Sequence, residues 1–550
     1  MNKSEYERKI QSILDSKEFR EVPKDPTQTI QNKCNKFITT LCERGYISDQ
    51  QAKQMKTYNS TCPRIYGNPK VHKPGNPLRP IISSVNSPTS KLAKFVADIL
   101  KSAYNPNNDY YIKDTFDFAN QINDFQLPNN HKIASFDVVN LFGNLDKNNI
   151  IKILEKKWEQ IQEHANIDKE LFLEITLFIL ENNYCTFRGK FYQQIFGCAM
   201  GSEISPILAL YVMDDLLDNS ISKLKFRIPF IKKFVDDIVL ALPEDQIEDT
   251  MRCFNSYCKD LQFTIEMEDQ EQGVPFLDTK VHRQNNIVKL NWYRKNTSAN
   301  KFINYHSDHS MNIKINFIKG MKERIIKICH ETFKQNALKT LFEILRQNSY
   351  PAVLLNKLIY ASETTTQPNV QQQEQKDTEE KLYASLPNIK ELTSKIKSIF
   401  RDEKVLLTTY NKKTVKSLYS TLKDPIPTEL KSNVVYQLSC QDCRGVYVGQ
   451  TSQWVKSRIS LHRSDIKKNK DRCALAIHAN NLDHQIDLEN VKILKMEKNY
   501  HKRLIHEMIE IKKGEYTINK KSDIQKLSNI YSYLLEKEKE NEFYDGPLDE

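Results

Sequence analysis

Apolar positions along the chain follow two different periods. Residues 132–142, KIASFDVVNLF, form an apolar run and predict a strand that ends at Asp137, with its carboxylate at the strand terminus. Residues 231–241, IKKFVDDIVLA, predict two short strands hinged about Asp236 and Asp237. In residues 311–360 apolar side chains recur three and four positions apart, which predicts helices. The chain is therefore expected to be a mixed α and β protein.

Composition adds a division into domains and a class of partner. The 550 residues are 39% hydrophobic, which is enough for several cores. Residues 361–382 are rich in Gln, Thr and Glu and predict a flexible linker or surface loop, followed by a lysine-rich connector. The 81 Lys and Arg against 70 Asp and Glu give a charge of +11, which favours polyanionic partners.

Targeting signals and cysteines bear on the compartment. The polar start MNKSEYERKI does not resemble a secretory signal, and the sequence has no apolar run long enough to predict a membrane span. Eleven cysteines without a regular framework predict reduced thiols in a cytosolic or nuclear setting.

The three aspartates named above are the first candidate site. Carboxylates from two neighbouring strand ends can hold two magnesium ions about 4 Å apart, one activating a primer hydroxyl and the other stabilising the leaving pyrophosphate. Taken singly, Asp137 is as readily a turn or helix cap, and Asp236 with Asp237 as readily solvated surface. Their order and context favour the metal site.

Two further segments accompany the aspartates. Residues 194–217 begin with Gln194 and place Gly197 and Gly201 in a turn-prone stretch, where the backbone can approach a base pair or form an ordinary loop before a helix. Residues 63–84 are basic and punctuated by Pro and Gly; they either hold Lys73 and Arg79 against a triphosphate or form a surface hairpin.

In order, these segments resemble reverse transcriptase motifs. SFDVVNLF resembles motif A, MGSEISP motif B and FVDD motif C, and YGNPKVHK…LRPIIS, FTIEMED and VPFLDTKVHR resemble the Penelope-like enzymes over roughly residues 60–320. The resemblance implies that Asp137, Asp236 and Asp237 hold two Mg²⁺ and that Arg79 holds the triphosphate. It also implies that Phe142 is the steric gate against a ribose 2′-hydroxyl, a role compatible with core packing.

The sequence departs from these motifs without losing a metal ligand. Glu203 stands in motif B where a small residue or proline is usual, Gly143 replaces the usual hydroxyl residue of motif A, and Phe234 is the aromatic of motif C. Because the three acids are intact, we expect activity to survive.

A second constellation lies near the C-terminal end. Two β-rich stretches present Tyr436 and Tyr447, a helix carries Arg458 and His462 on one face, and a later helix bears Glu507. These groups suffice for one-metal hydrolysis of a phosphodiester. Singly, the tyrosines can be packing residues and the glutamate part of a weak surface ion pair.

The order of this constellation resembles the GIY-YIG nucleases, with VVY and YVG in the naming positions. The resemblance implies that Tyr436, Tyr447, Arg458 and Glu507 are catalytic, with one Mg²⁺ on Glu507. Glu510, one turn along the same helix, is the competing carboxylate.

Two cysteines and two histidines fall inside the same region. Cys440 and Cys443 lie between the two tyrosine stretches, and His478 and His484 follow after a long gap. By spacing alone, two reduced cysteines and two surface histidines are slightly favoured over a tetrahedral zinc site. A Cys-Cys-His-His site is characteristic of the Penelope-like nuclease domain, so the resemblance implies a structural zinc.

The two halves in this order resemble the Penelope-like arrangement. The expected fold is α+β and multidomain: a right-hand polymerase with fingers, palm and helical thumb, then a small α/β GIY-YIG nuclease. The predicted boundaries are an N-terminal helical extension 1–60, fingers and palm 61–300, thumb 301–360, linker 361–382, basic connector 383–430, nuclease 431–535 and acidic tail 536–550.

The resemblance implies target-primed reverse transcription in the nucleus by a protein made in the cytoplasm. The nuclease would nick target DNA, and the exposed 3′-hydroxyl would prime copying of element RNA from deoxynucleoside triphosphates. One alternative is a telomerase-like or domesticated polymerase whose nuclease domain only tethers DNA. Another is a non-enzymatic RNA-binding protein, against which the intact aspartates argue.

Overall fold

The computed structural model is a mixed α/β multidomain protein. It describes the 550 residues except 72, 107–108, 269–272, 361–381, 390, 402–404, 412–418, 420, 469–472 and 545–550. The predicted linker therefore lies outside the described residues apart from its last residue, Leu382, which instead begins a strand.

The first part of the chain combines helices with a five-stranded sheet. Its elements are α1 (Lys3–Leu14), β1 (Phe19–Val22), α2 (Thr27–Glu43), α3 (Asp49–Met55), β2 (Arg64–Pro69), β3 (Leu78–Ser83), α4 (Ser90–Ala103), α5 (Thr115–Ile122), β4 (His131–Val138), α6 (Lys147–Lys156), α7 (Trp158–Gln162), α8 (Lys169–Glu181), β5 (Tyr184–Phe187) and β6 (Lys190–Gln194). The sheet order is β1-β6-β5-β2-β3. Strand β1 shows that the segment predicted as a helical extension also supplies a sheet edge.

A four-stranded sheet carries the candidate aspartates. The next elements are α9 (Ser205–Ile221), β7 (Ile231–Phe234), β8 (Asp237–Pro243), α10 (Ile247–Asn255) and β9 (Phe263–Met267). The sheet order is β7-β8-β4-β9. Its strands are rich in Ile, Val, Leu and Phe, and one face packs on α9, whose apolar residues are buried nearly all round. This core fixes the strand ends where the aspartates lie.

A small sheet and a helical segment follow. Strands β10 (Val274–Phe276), β11 (Thr279–Gln284) and β12 (Ile287–Trp292) form an antiparallel sheet, and α11 (Met311–Ile328), α12 (Glu331–Gln347) and α13 (Ala352–Leu355) follow, with a π-helical turn at Asn356–Tyr360. These helices lie where the periodicity predicted them. Arg324 on α11 pairs with Asp278 beside the small sheet, which joins helices and sheet.

The remaining chain forms a β-α-β unit, from β13 to β14, and then a C-terminal domain, from β15 to α18. The elements are β13 (Leu382–Pro387), α14 (Leu392–Ile399), β14 (Val405–Tyr410), β15 (Val434–Ser439), β16 (Val446–Thr451), α15 (Val455–Lys467), α16 (Ala474–Leu482), β17 (Lys492–Met496), α17 (Tyr500–Lys513) and α18 (Asn529–Tyr544). Strands β13 and β14 are parallel, and the last sheet has the order β16-β15-β17. The predicted acidic tail, residues 536–550, begins inside α18.

Candidate functional site

The three aspartates lie together at one end of the four-stranded sheet. Strands β4 and β8 are antiparallel, and their register pairs Asp137 with Asp237. Asp236 occupies the turn between β7 and β8, after Val235, whose φ of 58° is in the left-handed region that a β-branched residue rarely adopts. The tight turn therefore sets Asp236 beside Asp237 and opposite Asp137.

Burial and neighbouring charges raise the pKa of two of these carboxylates, Asp236 and Asp237. Burial raises the pKa of Asp236, and the charge of Asp137 adds to the effect. Burial, followed by the charges of Asp236 and Asp137, raises the pKa of Asp237 to about 6. Arg79 acts in the opposite direction on Asp236, as Lys295 does on Asp237. Such a cluster is suited to bind hard divalent cations.

The basic segment forms a hairpin whose charges act on the aspartates. Strands β2 and β3 are antiparallel, and the connecting turn is closed by the Lys73 main-chain N–H donating to the Lys70 carbonyl at 3.0 Å. Lys73 and Arg79 are exposed. Burial lowers the pKa of Lys70, as do Arg79 and Lys73, while Asp137 raises it. The segment is a surface hairpin, and the charges of Lys70 and Arg79 reach the aspartates, whereas Lys73 acts on Lys70.

Lys70 and Lys295 are site residues that the sequence reasoning missed. Lys70 lies within the basic segment that drew attention to Lys73, three residues further on. Lys295 follows β12 and is far from motif C along the chain, so only the folded structure brings its charge to Asp237.

Two glycines let a loop fit between the aspartate strand and the basic hairpin. Gly197 has φ of 76°, and a Cβ there would lie 2.5 Å from the Gly143 carbonyl oxygen. Gly201 has φ of 112°, and a Cβ there would lie 2.3 Å from the Ile82 carbonyl oxygen. The Cys198 N–H donates to the Phe142 carbonyl at 2.7 Å, which holds the loop against the turn after β4. Both positions therefore require glycine.

The other candidates near this loop differ in their surroundings. Phe142 is half-buried against the main core, which is the packing role considered for it. Gln194 is 4% exposed, and its Oε1 has no hydrogen-bond partner within the described residues. It borders a small cavity together with Glu18 and Gly143. Glu203 is exposed, so its extra charge lies at the surface.

In the C-terminal domain, the predicted residues converge on the phenol of Tyr436. Arg458 Nε donates to Tyr436 Oη at 3.2 Å, and Tyr436 Oη lies 2.6 Å from His462 Nε2. Tyr436 and His462 are fully buried. Burial, aided by the charge of Arg458, lowers the pKa of His462 to about 4, so the ring is neutral near pH 7. Because Arg458 can only donate, Tyr436 Oη is the acceptor of that hydrogen bond, and the direction of the bond between Tyr436 and His462 follows from the tautomer of the imidazole.

Tyr447 and Glu507 complete this cluster. Strands β15 and β16 pair Tyr436 with Gly449, where a Cβ would lie 2.8 Å from Tyr436 Oη. Tyr447 is half-buried and its ring centroid lies 5.3 Å from that of His462. Burial raises the pKa of Glu507 to about 7, with a further contribution from Asp523. The charge of Glu507 acts on both tyrosines, so this carboxylate faces the cluster.

Two charged residues that the sequence pattern did not single out, Arg503 and Asp523, lie near Glu507. Arg503, one turn earlier on α17, is 2% exposed, and its guanidinium donates to Gln450 Oε1 at 2.9 Å and to the Glu497 carbonyl at 2.9 Å. It therefore fixes α17 against β16. Asp523 lies on a short 3₁₀ helix, Lys521–Ile524, and is a second carboxylate near Glu507. A buried arginine on an amphipathic helix gives no distinctive sequence signal.

The four predicted zinc ligands are brought together. The donor atoms of Cys440, Cys443, His478 and His484 all lie within 4.8 Å of one another. Cys440 Sγ is 3.5 Å from His484 Nδ1, and Cys443 Sγ is 3.5 Å from His478 Nε2. Two thiolates and two imidazoles are a ligand set for a tetrahedral ion with bonds of about 2.0–2.3 Å. Within the described part of the chain, the three aspartates do not form a group of this kind.

No helix in the described ranges is long and apolar enough to cross a bilayer.

Comparison with known proteins gives partial likenesses. The family profile described as "Animal helix-turn-helix domain" matches residues 301–360, which contain α11 to α13. No curated protein matches the chain.

Among solved structures, telomerase of Candida albicans bound to a fragment of telomeric RNA is 12% identical, with a TM-score of 0.39, over 62% of this chain and 66% of that one. Apo telomerase of Candida tropicalis is 12% identical, with a TM-score of 0.36, over 62% of this chain and 66% of that one. The BmCPV RNA-dependent RNA polymerase in its elongation state is 12% identical, with a TM-score of 0.33, over 62% of this chain and 31% of that one.

The chain thus spans just under two thirds of the telomerase chains and under a third of the viral one. Because these overlaps are partial, the functional proposal rests on the site geometry.

Proposed function

We propose that the chain is an RNA-directed DNA polymerase. One observation carries the proposal: the paired strands β4 and β8 set Asp137 opposite Asp237, with Asp236 in the adjoining turn. The three carboxylates are suited to bind divalent cations, and the neighbouring cations Lys70 and Arg79 are suited to bind a triphosphate. Nucleotidyl transfer needs both.

The residues divide the work of nucleotide addition. The three aspartates would hold two Mg²⁺, which supply charge to activate the primer hydroxyl and stabilise the leaving pyrophosphate. Arg79, Lys70 and Lys73 would neutralise the triphosphate. The Gly197–Gly201 loop would let the new base pair approach the backbone, beside Gln194. Phe142 would crowd a ribose 2′-hydroxyl and so select deoxynucleotides.

Primer extension tests this proposal directly. A purified chain with Mg²⁺, deoxynucleotides and a DNA primer annealed to an RNA template should lengthen the primer. An equal reaction with ribonucleotides should be much slower because of Phe142. Absence of extension with wild-type protein, under conditions where the folded state is verified by circular dichroism, would reject the polymerase.

We further propose that residues 431–535 are a DNA endonuclease of the GIY-YIG type. The cluster of Tyr436, Arg458 and His462 around one phenol oxygen supports it. Glu507 would hold one Mg²⁺, which supplies Lewis acidity at the phosphate. Arg458 would stabilise the developing charge. Tyr447 is the half-exposed tyrosine and would position the attacking water, while the buried Tyr436 orients Arg458 and His462.

Glu507→Gln is expected to lower DNA nicking by about 100-fold, because loss of a metal ligand removes several kcal/mol of transition-state stabilisation. The measurement is conversion of supercoiled plasmid to open circles in Mg²⁺. Glu510→Gln, one turn along α17, is the matched control and should nick at the wild-type rate. Equal nicking by wild type and Glu507→Gln would reject the metal-ligand role of Glu507. Absence of nicking by folded wild type would favour the alternative, a telomerase-like or domesticated polymerase whose C-terminal domain only tethers DNA.

A structural Zn²⁺ is proposed for Cys440, Cys443, His478 and His484, since four protein ligands leave no open position. The Cys443→Ser variant is expected to lose about one equivalent of zinc per chain by atomic emission and to unfold the C-terminal domain at lower temperature. Cys473→Ser, in the same domain, serves as control and should retain the metal. Zinc retained in full by Cys443→Ser would reject this ligand set.

Together these activities suit target-primed reverse transcription of the Penelope-like type. The partners would be an element RNA as template, target DNA that is nicked and becomes the primer, and deoxynucleoside triphosphates. The action would take place in the nucleus after synthesis in the cytoplasm. The helices of residues 301–360 would grip the primer–template duplex as a thumb, anchored to the small sheet through Arg324 and Asp278.

A further inference from the structure

The domain with the tyrosine cluster also contacts the loop that precedes β2, in addition to its covalent connection through the chain. Trp454 Nε1 donates to the Ser60 carbonyl at 3.1 Å, and Asn59 Nδ2 donates to the Ser452 carbonyl at 2.7 Å. Trp454 is 8% exposed and Ser60 3% exposed. A buried indole whose N–H is satisfied across a domain boundary marks a specific contact, since an unpaired buried N–H is costly.

The loop that receives Trp454 is itself held rigidly. The Ser60 N–H donates to Gln31 Oε1 at 3.0 Å, and Gln31 is 2% exposed on α2. The next residue, Thr61, donates its N–H to the Asn86 carbonyl at 2.8 Å. We name residues 59–61 the socket. Because its main chain is fixed on both sides, the socket presents the Ser60 carbonyl in one direction.

A second contact lies in the connector just before the domain. Lys423 Nζ donates to Ser83 Oγ at 3.0 Å and lies 5.0 Å from the Tyr66 ring centroid. Asp424 accepts at its carbonyl from Arg64 at 2.7 Å and at Oδ2 from the Arg188 N–H at 2.7 Å. We name Lys423 and Asp424 the strap. It crosses β2 and β3, whose hairpin also bears Lys70 and Arg79.

The socket contact is joined to the proposed nuclease centre by a single helical turn. Trp454 immediately precedes α15, and the Arg458 N–H donates to the Trp454 carbonyl at 3.1 Å. The helix that carries Arg458 and His462 therefore begins at the docking residue. Socket and strap together restrain the domain at two points, the loop before β2 and the strands β2 and β3, whereas linked domains otherwise move relative to each other by default.

We infer that Trp454 in its socket and the strap dock the nuclease domain on the polymerase in one orientation, so that a nicked DNA end passes to the aspartate site without leaving the protein. This inference rests on the proposed function. A 3′-end held beside the polymerase site has an effective concentration set by the docked geometry rather than by diffusion. Docking therefore acts on the coupled reaction and not on either separate step.

The test compares three reactions of the full chain. The first is nicking of plasmid DNA, the second is extension of a preformed DNA primer on RNA, and the third is synthesis primed by the nick, in the presence of excess unlabelled primer–template as a trap. The variants are Trp454→Ala, Trp454→Phe and the strap double variant Lys423→Ala/Asp424→Ala. Tyr419→Ala is the control, because Tyr419 is on the same connector and 73% exposed.

The strap variant should lose at least tenfold in trapped, nick-primed product while nicking and preformed-primer extension remain within twofold of wild type. Trp454→Phe should fall between wild type and Trp454→Ala, since it keeps the ring and loses the N–H. Trp454→Ala could also lower nicking by disturbing α15, which carries Arg458 and His462. In that case the strap variant alone tests docking. Unchanged trapped product in the strap variant would overturn the inference, whereas failure of wild type in the first or second reaction would instead reject the proposed function.

A second measurement tests docking without any activity. The chain has three tryptophans, so Trp158→Phe with Trp292→Phe leaves Trp454 as the single indole reporter. The acrylamide quenching constant of Trp454 fluorescence should be several-fold lower in this single-tryptophan parent than in the same protein with the strap substitutions. Quenching of Trp454 in the parent at the rate of a fully exposed indole would overturn the docking itself.

Discussion

Asp237→Asn is expected to reduce primer extension by at least about 1,000-fold, because a lost metal ligand costs several kcal/mol of transition-state stabilisation. The amide nearly preserves the shape of the side chain and removes one of three crowded negative charges. Repulsion in the cluster therefore falls, and the thermal unfolding midpoint should not decrease. The measurement is the single-turnover rate of adding one deoxynucleotide to a DNA primer on RNA.

The control for this variant is Asp245→Asn. Asp245 is exposed and lies just beyond the opposite end of β8, so it shares the local sequence environment but not the site. Its extension rate should equal that of wild type. A rate for Asp237→Asn above a tenth of wild type would contradict the metal-ligand role, and nicking by the same variant should be unaffected if the two centres are chemically independent.

Lys233→Met is expected to destabilise the four-stranded sheet and its packing on α9 by about 3–5 kcal/mol, because it leaves a largely buried carboxylate without its counter-ion. Lys233 is fully buried and paired with Asp214 on α9. Burial lowers the pKa of Lys233, and the charge of Asp214 opposes this. Lys233 lies on β7, three residues before Asp236, so loss of the ion pair is expected to act on both the fold and the site. Urea unfolding followed by circular dichroism measures the effect.

Two comparisons sharpen this prediction. Lys233→Met with Asp214→Leu removes both charges and should recover most of the lost stability. Arg252→Met breaks the exposed pair with Asp249 and should cost less than about 1 kcal/mol. A loss below about 1 kcal/mol for Lys233→Met alone would mean that Asp214 finds another partner or takes up a proton.

The strand ends that carry the aspartates could be predicted from the sequence, because they depend on the pattern of neighbouring residues. The alternation in residues 231–241 gave a hairpin, and the structure differs only in starting β8 at Asp237 itself. Likewise the spacing of Arg458 and His462 on one helical face needs no tertiary information. Local periodicity fixes such features before any packing is considered.

Features that depend on distant pairings were not readable. Spacing alone slightly disfavoured a metal site at Cys440 and His484, yet the Gln441 N–H donates to the Gln485 carbonyl and draws the two segments together. The burial of Lys233 contradicts the usual preference of lysine for solvent, since only its partner on α9 makes the position tolerable. Trp454 in the sequence resembles any helix-flanking tryptophan, because its socket is about 390 residues away.

Strand β1 has a consequence for how the protein is made. Its Phe19 is paired with Gln194, so the edge of the five-stranded sheet cannot close until both segments have left the ribosome. At roughly 5–20 residues per second, the intervening residues take on the order of 10–35 s to synthesise. During that interval the apolar side of β1 has no partner strand, and a nascent chain arrested before residue 190 should recruit chaperones that a chain arrested after residue 260 releases.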